Sequence, residues 1–340
     1  MKKLLLIICI AIFVNFSYAK TITDMQGNAV FIKDDIKRVF SSSPPMMALL
    51  YTLAPEYMIG VNYRFLEVEK TYMLKEIQYL PVLGGFFGSG QQASLEKLIS
   101  LKPDIVFAWD RTLEPESGFI KTLQKVNIPI FQIRQNNFED SIAAINLMGE
   151  VLNKQERAQS LTKYAKDSLS RVKQSVELLD KDKKIRVFFA QGLDGLMTEC
   201  ESDVSSEIIT LAGGINVHSC DINKSTKREK ITLEKLYKYD PDIIFVREKS
   251  TFDDISKSTS TWRNLKAHKN NKIFLAPSSP FAWLSRPPSF MRFLGLPWMH
   301  KKMYPDHFEF DENKETKNFY ELFLHVKLED SDVEKLFKGE

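Results

Sequence analysis

The 340-residue chain has little cysteine and little histidine, three of the first and five of the second. No two of them stand at the spacing of a structural zinc site, apart from the weaker pair His300 and His307 near the C-terminus. Net charge is also scarce. Without Lys2 and Lys3, the 47 basic residues become 45, against 44 acidic ones. A balance near +1 excludes a polyanion or nucleic-acid binder that works through bulk charge. Beyond the extreme N-terminus no apolar run approaches the 18 residues of a membrane-spanning helix. There is no G-x-S-x-G elbow, no H-E-x-x-H and no phosphate-binding loop, so the common hydrolase and nucleotide signatures are missing. An extracytoplasmic hydrolase or an adhesive surface protein is left with no motif to support it.

What is present begins with a leader. Met1-Lys2-Lys3 is a short positive stretch, Leu4 to Phe16 is nearly all apolar, and Ser17-Tyr18-Ala19 has the small-x-Ala form of a cleavage site. The mature chain is expected to start at Lys20 and to be exported. Cys9 lies inside the apolar run, too early for lipid attachment. The remaining 321 residues exceed one ordinary core and imply two lobes. Cys200 and Cys220 survive cleavage. In an oxidising compartment they either form a bridge, worth roughly 3 kcal/mol, or remain two buried thiols, and the sequence leaves both open.

The organising feature is an internal repeat. Residues 95–110, LEKLISLKPDIVFAWD, and residues 233–248, LEKLYKYDPDIIFVRE, share eight of sixteen positions at a constant offset of 138. Each copy reads as a short helix, a Pro-Asp stop and a buried strand, because proline disfavours helix in the residue before it and a short apolar run suits a sheet covered on both faces. Flanking strands are expected at Arg38-Val39-Phe40, Ile59-Gly60-Val61, Ile128 to Ile133, Arg186-Val187-Phe188, Gly214 to Val217 and Lys272 to Ala276. Between the copies, apolar residues from Ala158 to Leu179 recur in steps of three and four, predicting one long one-sided helix over Lys154–Leu179, roughly 40 Å in length. A coiled-coil arm is the competing reading, but the segment is short for one. The expected fold is α/β: two β-α-β lobes with small parallel sheets, residues 20–152 and 183–340, joined by a single long rigid helix over 153–182, with the ligand cleft between lobes and a helical extension at the C-terminus.

At this point the repeat block, the second-lobe opening RVFFAQGLDGLMTECESDVSSEIITLAGGINV and the intervening helix resemble the periplasmic proteins that bind ferric siderophores, haem and cobalamin for ABC importers, over about residues 30–280. The stretch SPFAWLSRPPSFMRFLGLPWMHKKMYP is similar to the molybdate- and tungstate-binding members. The resemblance implies a periplasmic monomer that delivers an iron complex, or a molybdate-type oxyanion or a nickel, cobalt or cobalamin complex, to an inner-membrane permease and its ATPase. It implies no resident cofactor and no catalysis. It also implies that an acid at the start of each LEKL helix, Glu96 and Glu234, meets permease arginines; the plainer reading is that glutamate suits the first turn of a helix.

Ligands of open α/β sheets lie beyond the carboxyl ends of the strands. The residues there are Tyr63 and Arg64, Trp109 and Arg111, Arg134, Gln191, Arg247, and Trp283 with Arg286, the last followed by two prolines that stiffen its loop. Arginines gathered in a cleft select carboxylates and oxyanions. Phe86 and Phe87, in a glycine-rich loop, suggest aromatic walls for an organic chelate, whereas Tyr51, Met46 and Met47 read as helix packing. His218 follows a strand and is a candidate for an open coordination position on a bound metal.

Overall fold

A computed structural model describes residues 19–86, 91–110, 118–180, 184–201, 203, 206–220, 228–284 and 286–340. The leader expected over residues 1–19 therefore lies outside the described residues, except for Ala19. Strands β1 (Ala19–Thr23) and β2 (Ala29–Lys33) form an antiparallel hairpin. The first lobe is built on β3 (Val39–Ser41), β4 (Ile105–Trp109) and β5 (Ile130–Ile133), all parallel in the order β3-β4-β5. The second is built on β6 (Arg186–Ala190), β8 (Ile215–Asn216), β10 (Ile243–Val246) and β11 (Ile273–Leu275), parallel in the order β11-β10-β6-β8. A small antiparallel pair, β7 (Met197–Glu199) with β9 (Arg228–Lys230), leans on the second sheet. These are the two parallel lobes expected, with one difference. In place of the strand expected at 59–61, the segment from Met58 to Val61 makes only isolated bridges, Met58 to Val39 and Val61 to Val82.

The helices used below are α1 (Pro44–Leu53), α2 (Leu95–Ser100), α3 (Gly118–Lys125), α4 (Phe138–Val151), α5 (Gln155–Glu177), α6 (Leu233–Tyr239), α7 (Arg292–Met303), α8 (Glu312–Leu324) and α9 (Asp330–Lys338). The repeat is visible as structure. Helices α2 and α6 begin at equivalent residues and are capped alike: Ser94 Oγ accepts from Lys97 N, and Thr232 Oγ1 accepts from Lys235 N. Lys102 and Asp240, also 138 apart, both take a left-handed backbone, with φ of 47° and 38°. The aspartate of each Pro-Asp stop then ties down the first strand of its lobe. Asp104 Oδ2 accepts from Lys37 N at 2.8 Å and Arg38 N at 2.9 Å, and Asp242 Oδ2 accepts from Arg186 N at 2.8 Å.

Along each central strand, successive side chains point to opposite faces. Ile105, Phe107 and Trp109 enter a large core shared by both lobes, and so do Ile243 and Phe245 of β10. Val106 and Ala108 enter a separate outer cluster with Phe119 and Leu123 of α3, while Ile244 and Val246 enter a third cluster with Trp262. Both faces of both sheets are therefore covered, which explains the continuous apolar runs.

Helix α5 spans 23 residues, about 35 Å, and packs on α4 of the first lobe and α7 of the second. Its buried stripe holds Ala158, Leu161, Ala165 and Val172, with Thr162, Ser168 and Ser175 in places where a purely apolar stripe is expected. The serines are bonded to backbone across the interface: Ser168 Oγ donates to Phe293 O at 2.6 Å and Ser175 Oγ to His307 O at 3.1 Å. The strut is not the only link. The C-terminal helices return to the first lobe, where Tyr51 of α1 donates to Leu324 O at 2.7 Å and Tyr72 to Asp332 O at 3.0 Å, and to the start of the strut, where Arg157 donates to Leu322 O. A second connection of this kind stiffens the pair of lobes beyond what one helix provides.

Candidate functional site

The carboxyl ends of both sheets face one hollow between the lobes, with a volume of about 680 Å³. The first lobe contributes Tyr63, Arg64 and Glu69, and the second contributes Arg247, Glu248, Lys249 and Arg286. Another hollow, of about 500 Å³, lies between β2 and the segment after α3; its walls hold no ionisable side chain and offer no charge to a ligand.

The cations of the cleft are held differently. Arg64 is exposed and makes no ion pair among the described residues. Arg247 Nε approaches Glu248 Oε1 only loosely, at 3.8 Å, and Glu248 Oε2 accepts from the Gly192 N–H at 3.0 Å. Lys249 pairs with Asp253 at 2.6 Å on the surface. Arg286 is mounted firmly. Its Nε donates to Glu199 Oε1 at 2.8 Å, and Nη2 donates to Glu199 Oε2 at 3.0 Å and to Asp203 Oδ2 at 3.1 Å. Glu199 and Asp203 are 1 % and 2 % exposed, and the Glu199 carboxylate pushes the guanidinium's pKa further up. The pair of hydrogen bonds fixes the plane of the guanidinium, and Nη1 carries no hydrogen bond among the described residues. Burial raises the pKa of the Tyr63 hydroxyl and of the Glu69 carboxyl.

The loop that presents Arg286 is itself anchored. Trp283 is fully buried, its Nε1 donates to Tyr320 Oη at 3.2 Å, and its ring packs on Trp298 and Phe337. Gly295 of α7 approaches so closely that a Cβ there would lie 2.2 Å from the Trp283 carbonyl oxygen. Trp283 is thus moved out of the cleft and into the core.

Four more expectations change with it. Gln191 is fully buried, and its Nε2 donates to Glu199 Oε1 at 3.1 Å, so it stands behind Arg286 rather than facing a ligand. Trp109 is on the inward-facing register of β4 and is 4 % exposed. Phe86 packs on Phe119 and Phe40 of the first lobe. Arg134 is paired with Asp140 at 3.2 Å. Phe87 and Arg111 lie outside the described residues. Of the sequence candidates, Tyr63, Arg64, Arg247 and Arg286 are brought together at the cleft. Missed were Glu199 and Asp203, for which the only sequence signal is the acid-rich run Glu199-Cys200-Glu201-Ser202-Asp203.

Glu96 and Glu234 are both exposed on the first turns of α2 and α6, and Glu234 has a surface pair with Lys238 at 2.9 Å. Cys200 and Cys220 are bridged, with Cα atoms 5.3 Å apart. His218 is buried against that bridge. His300 is spent on structure, with Nδ1 2.8 Å from Ala212 O and Nε2 2.8 Å from Ser175 Oγ.

Two α/β lobes, a helical strut and a charged cleft at the carboxyl ends of both sheets define a two-lobed solute-binding protein. The chain belongs to the periplasmic binding protein family, whose model matches residues 84–280. It is 32 % identical to an ABC transporter solute binding protein from Sulfurospirillum deleyianum, with a TM-score of 0.85 over 94 % of this chain and 99 % of that one. It is 26 % identical to the molybdate-binding protein MolA of Haemophilus influenzae, over 95 % of this chain and 97 % of that protein. A third relative, the Fe(3+)-citrate-binding protein YfmC of Bacillus subtilis, is 26 % identical over 55 % of this chain and 58 % of its own length. No helix among the described residues is long and apolar enough to cross a membrane.

Proposed function

We propose that the chain, exported and cleaved after Ala19, carries an anionic metal species in the interlobe cleft and surrenders it to an ABC permease, without catalysing a reaction. The observation that carries this reading is the convergence of Arg64, Arg247 and Arg286, from both lobes, on one hollow of about 680 Å³. Guanidinium groups bind carboxylates and oxyanions through paired hydrogen bonds. The volume suits a compact ferric chelate whose ligands are carboxylates. Trp283 and Trp109 are packed inside the lobes and do not line the hollow, whereas Tyr63 and Phe281 do.

A second reading is a molybdate-type oxyanion. It is favoured by MolA, a relative that covers 95 % of the chain. In either case Glu96 and Glu234, repeated on equivalent exposed helix starts, would form a two-point contact with a two-fold symmetric permease. The test is a melting-temperature screen of the chain from Lys20 onward, with ferric citrate, citrate alone, molybdate, tungstate, haemin and cobalamin. A ligand at 100 times its dissociation constant adds about 2.7 kcal/mol and raises Tm by a few degrees. Ferric citrate is expected to act where citrate alone does not. A shift with molybdate or tungstate alone would establish the oxyanion reading, and a shift with haemin or cobalamin alone would overturn both.

A further inference from the structure

Away from the ligand-facing side of Arg286, the second lobe holds a cluster that the transport reading does not use. The Cys200–Cys220 bridge joins the end of β7 to the segment after β8. His218, fully buried, sits against it with Nε2 3.2 Å from Cys220 Sγ, and the same nitrogen is 3.5 Å from Glu229 Oε2. Its other nitrogen, Nδ1, is 3.0 Å from the hydroxyl of Tyr239. Donor atoms of Cys200, His218 and Cys220 all lie within 4.8 Å of one another.

A disulfide sulfur has no proton to give and accepts weakly, so at 3.2 Å Cys220 Sγ is a poor partner for the His218 Nε2 that faces it. Opening the bridge replaces that partner with two thiols, which bind a metal ion as thiolates. Two thiolates and one imidazole supply three positions of a tetrahedral zinc-class site whose fourth is open to water, and thiolates favour such ions over magnesium or calcium. Tyr239 completes the arrangement. With Nδ1–H donating to its oxygen, the imidazole keeps the tautomer that presents the Nε2 lone pair to the metal.

We propose that Cys200, His218 and Cys220 form a redox-gated three-residue binding site for a zinc-class divalent cation, with the fourth position taken by water and Tyr239 as the positioning residue, closed in the bridged protein and opened by a dithiol. The dithiol reduces the bridge with two electrons and two protons and becomes a disulfide itself, leaving two thiols on the chain. Binding of the divalent ion then releases both thiol protons and forms two metal–sulfur bonds. Since Cys200 directly follows Glu199, which anchors Arg286, the gate adjoins the support of the cleft but shares no donor with it.

The site is tested on the whole mature chain, reduced, freed of reductant under anaerobic conditions and titrated with cobalt(II), then with zinc against a chromophoric chelator. The reduced wild type is expected to take up one cobalt ion per chain with a thiolate-to-cobalt charge-transfer band, which zinc abolishes. The bridged protein is expected to show no such band. His218→Gln weakens zinc at least tenfold. Tyr239→Phe leaves every donor in place, weakens zinc about tenfold, and decides the matter if His218→Gln does not fold. Reduced protein without the band, equal uptake by bridged protein, or wild-type affinity in the folded variants would overturn the proposal.

Discussion

The two lobes share a scaffold and differ at the cleft. Both copies of the repeat use the same capped helix start, the same left-handed residue and the same aspartate hold on the first strand. At the carboxyl end of the strand the copies part company. The first ends in Trp109-Asp110, with the tryptophan turned inward; the second ends in Arg247-Glu248, with the arginine at the cleft. The arginines differ as well. Arg64 of the first lobe stands exposed and unpaired among the described residues, whereas Arg286 of the second is fixed by two buried carboxylates. Duplication supplied the frame, and the binding chemistry lies in segments that are not duplicated. A free arginine attracts at long range, while a mounted one is already oriented when the ligand arrives.

The largest effect should come from dismounting the fixed arginine. Glu199→Gln removes one charge from a buried pair and leaves Gln191 facing another amide. A loss of about 3 kcal/mol in urea unfolding is expected, the low end of the range for broken buried pairs, because the Arg286 side chain is 35 % exposed. Ligand affinity should fall with it. Unchanged stability would mean that Arg286 is not held in the way described.

The shared frame is tested by its aspartates. Asp104→Ala loses two backbone N–H donors and the Lys33 pair, whereas Asp242→Ala loses one backbone N–H and the Lys266 pair. Expected costs are about 2–3 kcal/mol for the first and about 1.5 kcal/mol for the second, from hydrogen bonds to a charged acceptor. A reversed order would break the equivalence drawn between the lobes.

The fold was largely legible because its signals are local: a Pro-Asp stop, a short apolar run and a three-four spacing each act within a few residues. The strut's buried serines were hidden, because their partners Phe293 and His307 lie more than 120 residues further on. The site was only partly legible for the same reason. The loop that bears Arg286 could be read as rigid, but whether Trp283 faced ligand or core depended on Tyr320, delivered by a helix from the far end of the chain. Likewise nothing near Glu199 or Asp203 announced an arginine more than 80 residues away. Trp109 was misread although its register with Ile105 and Phe107 already pointed it inward.

The most direct test is a calorimetric titration of ferric citrate into the wild type, Arg286→Ala and Arg64→Ala. One-to-one uptake is expected in the wild type. Arg286→Ala should lose at least about a hundredfold in affinity, since it also leaves Glu199 and Asp203 uncompensated beneath the anion, and Arg64→Ala should lose less than about tenfold. Uptake undiminished by Arg286→Ala would contradict the account and place the ligand somewhere other than this cleft.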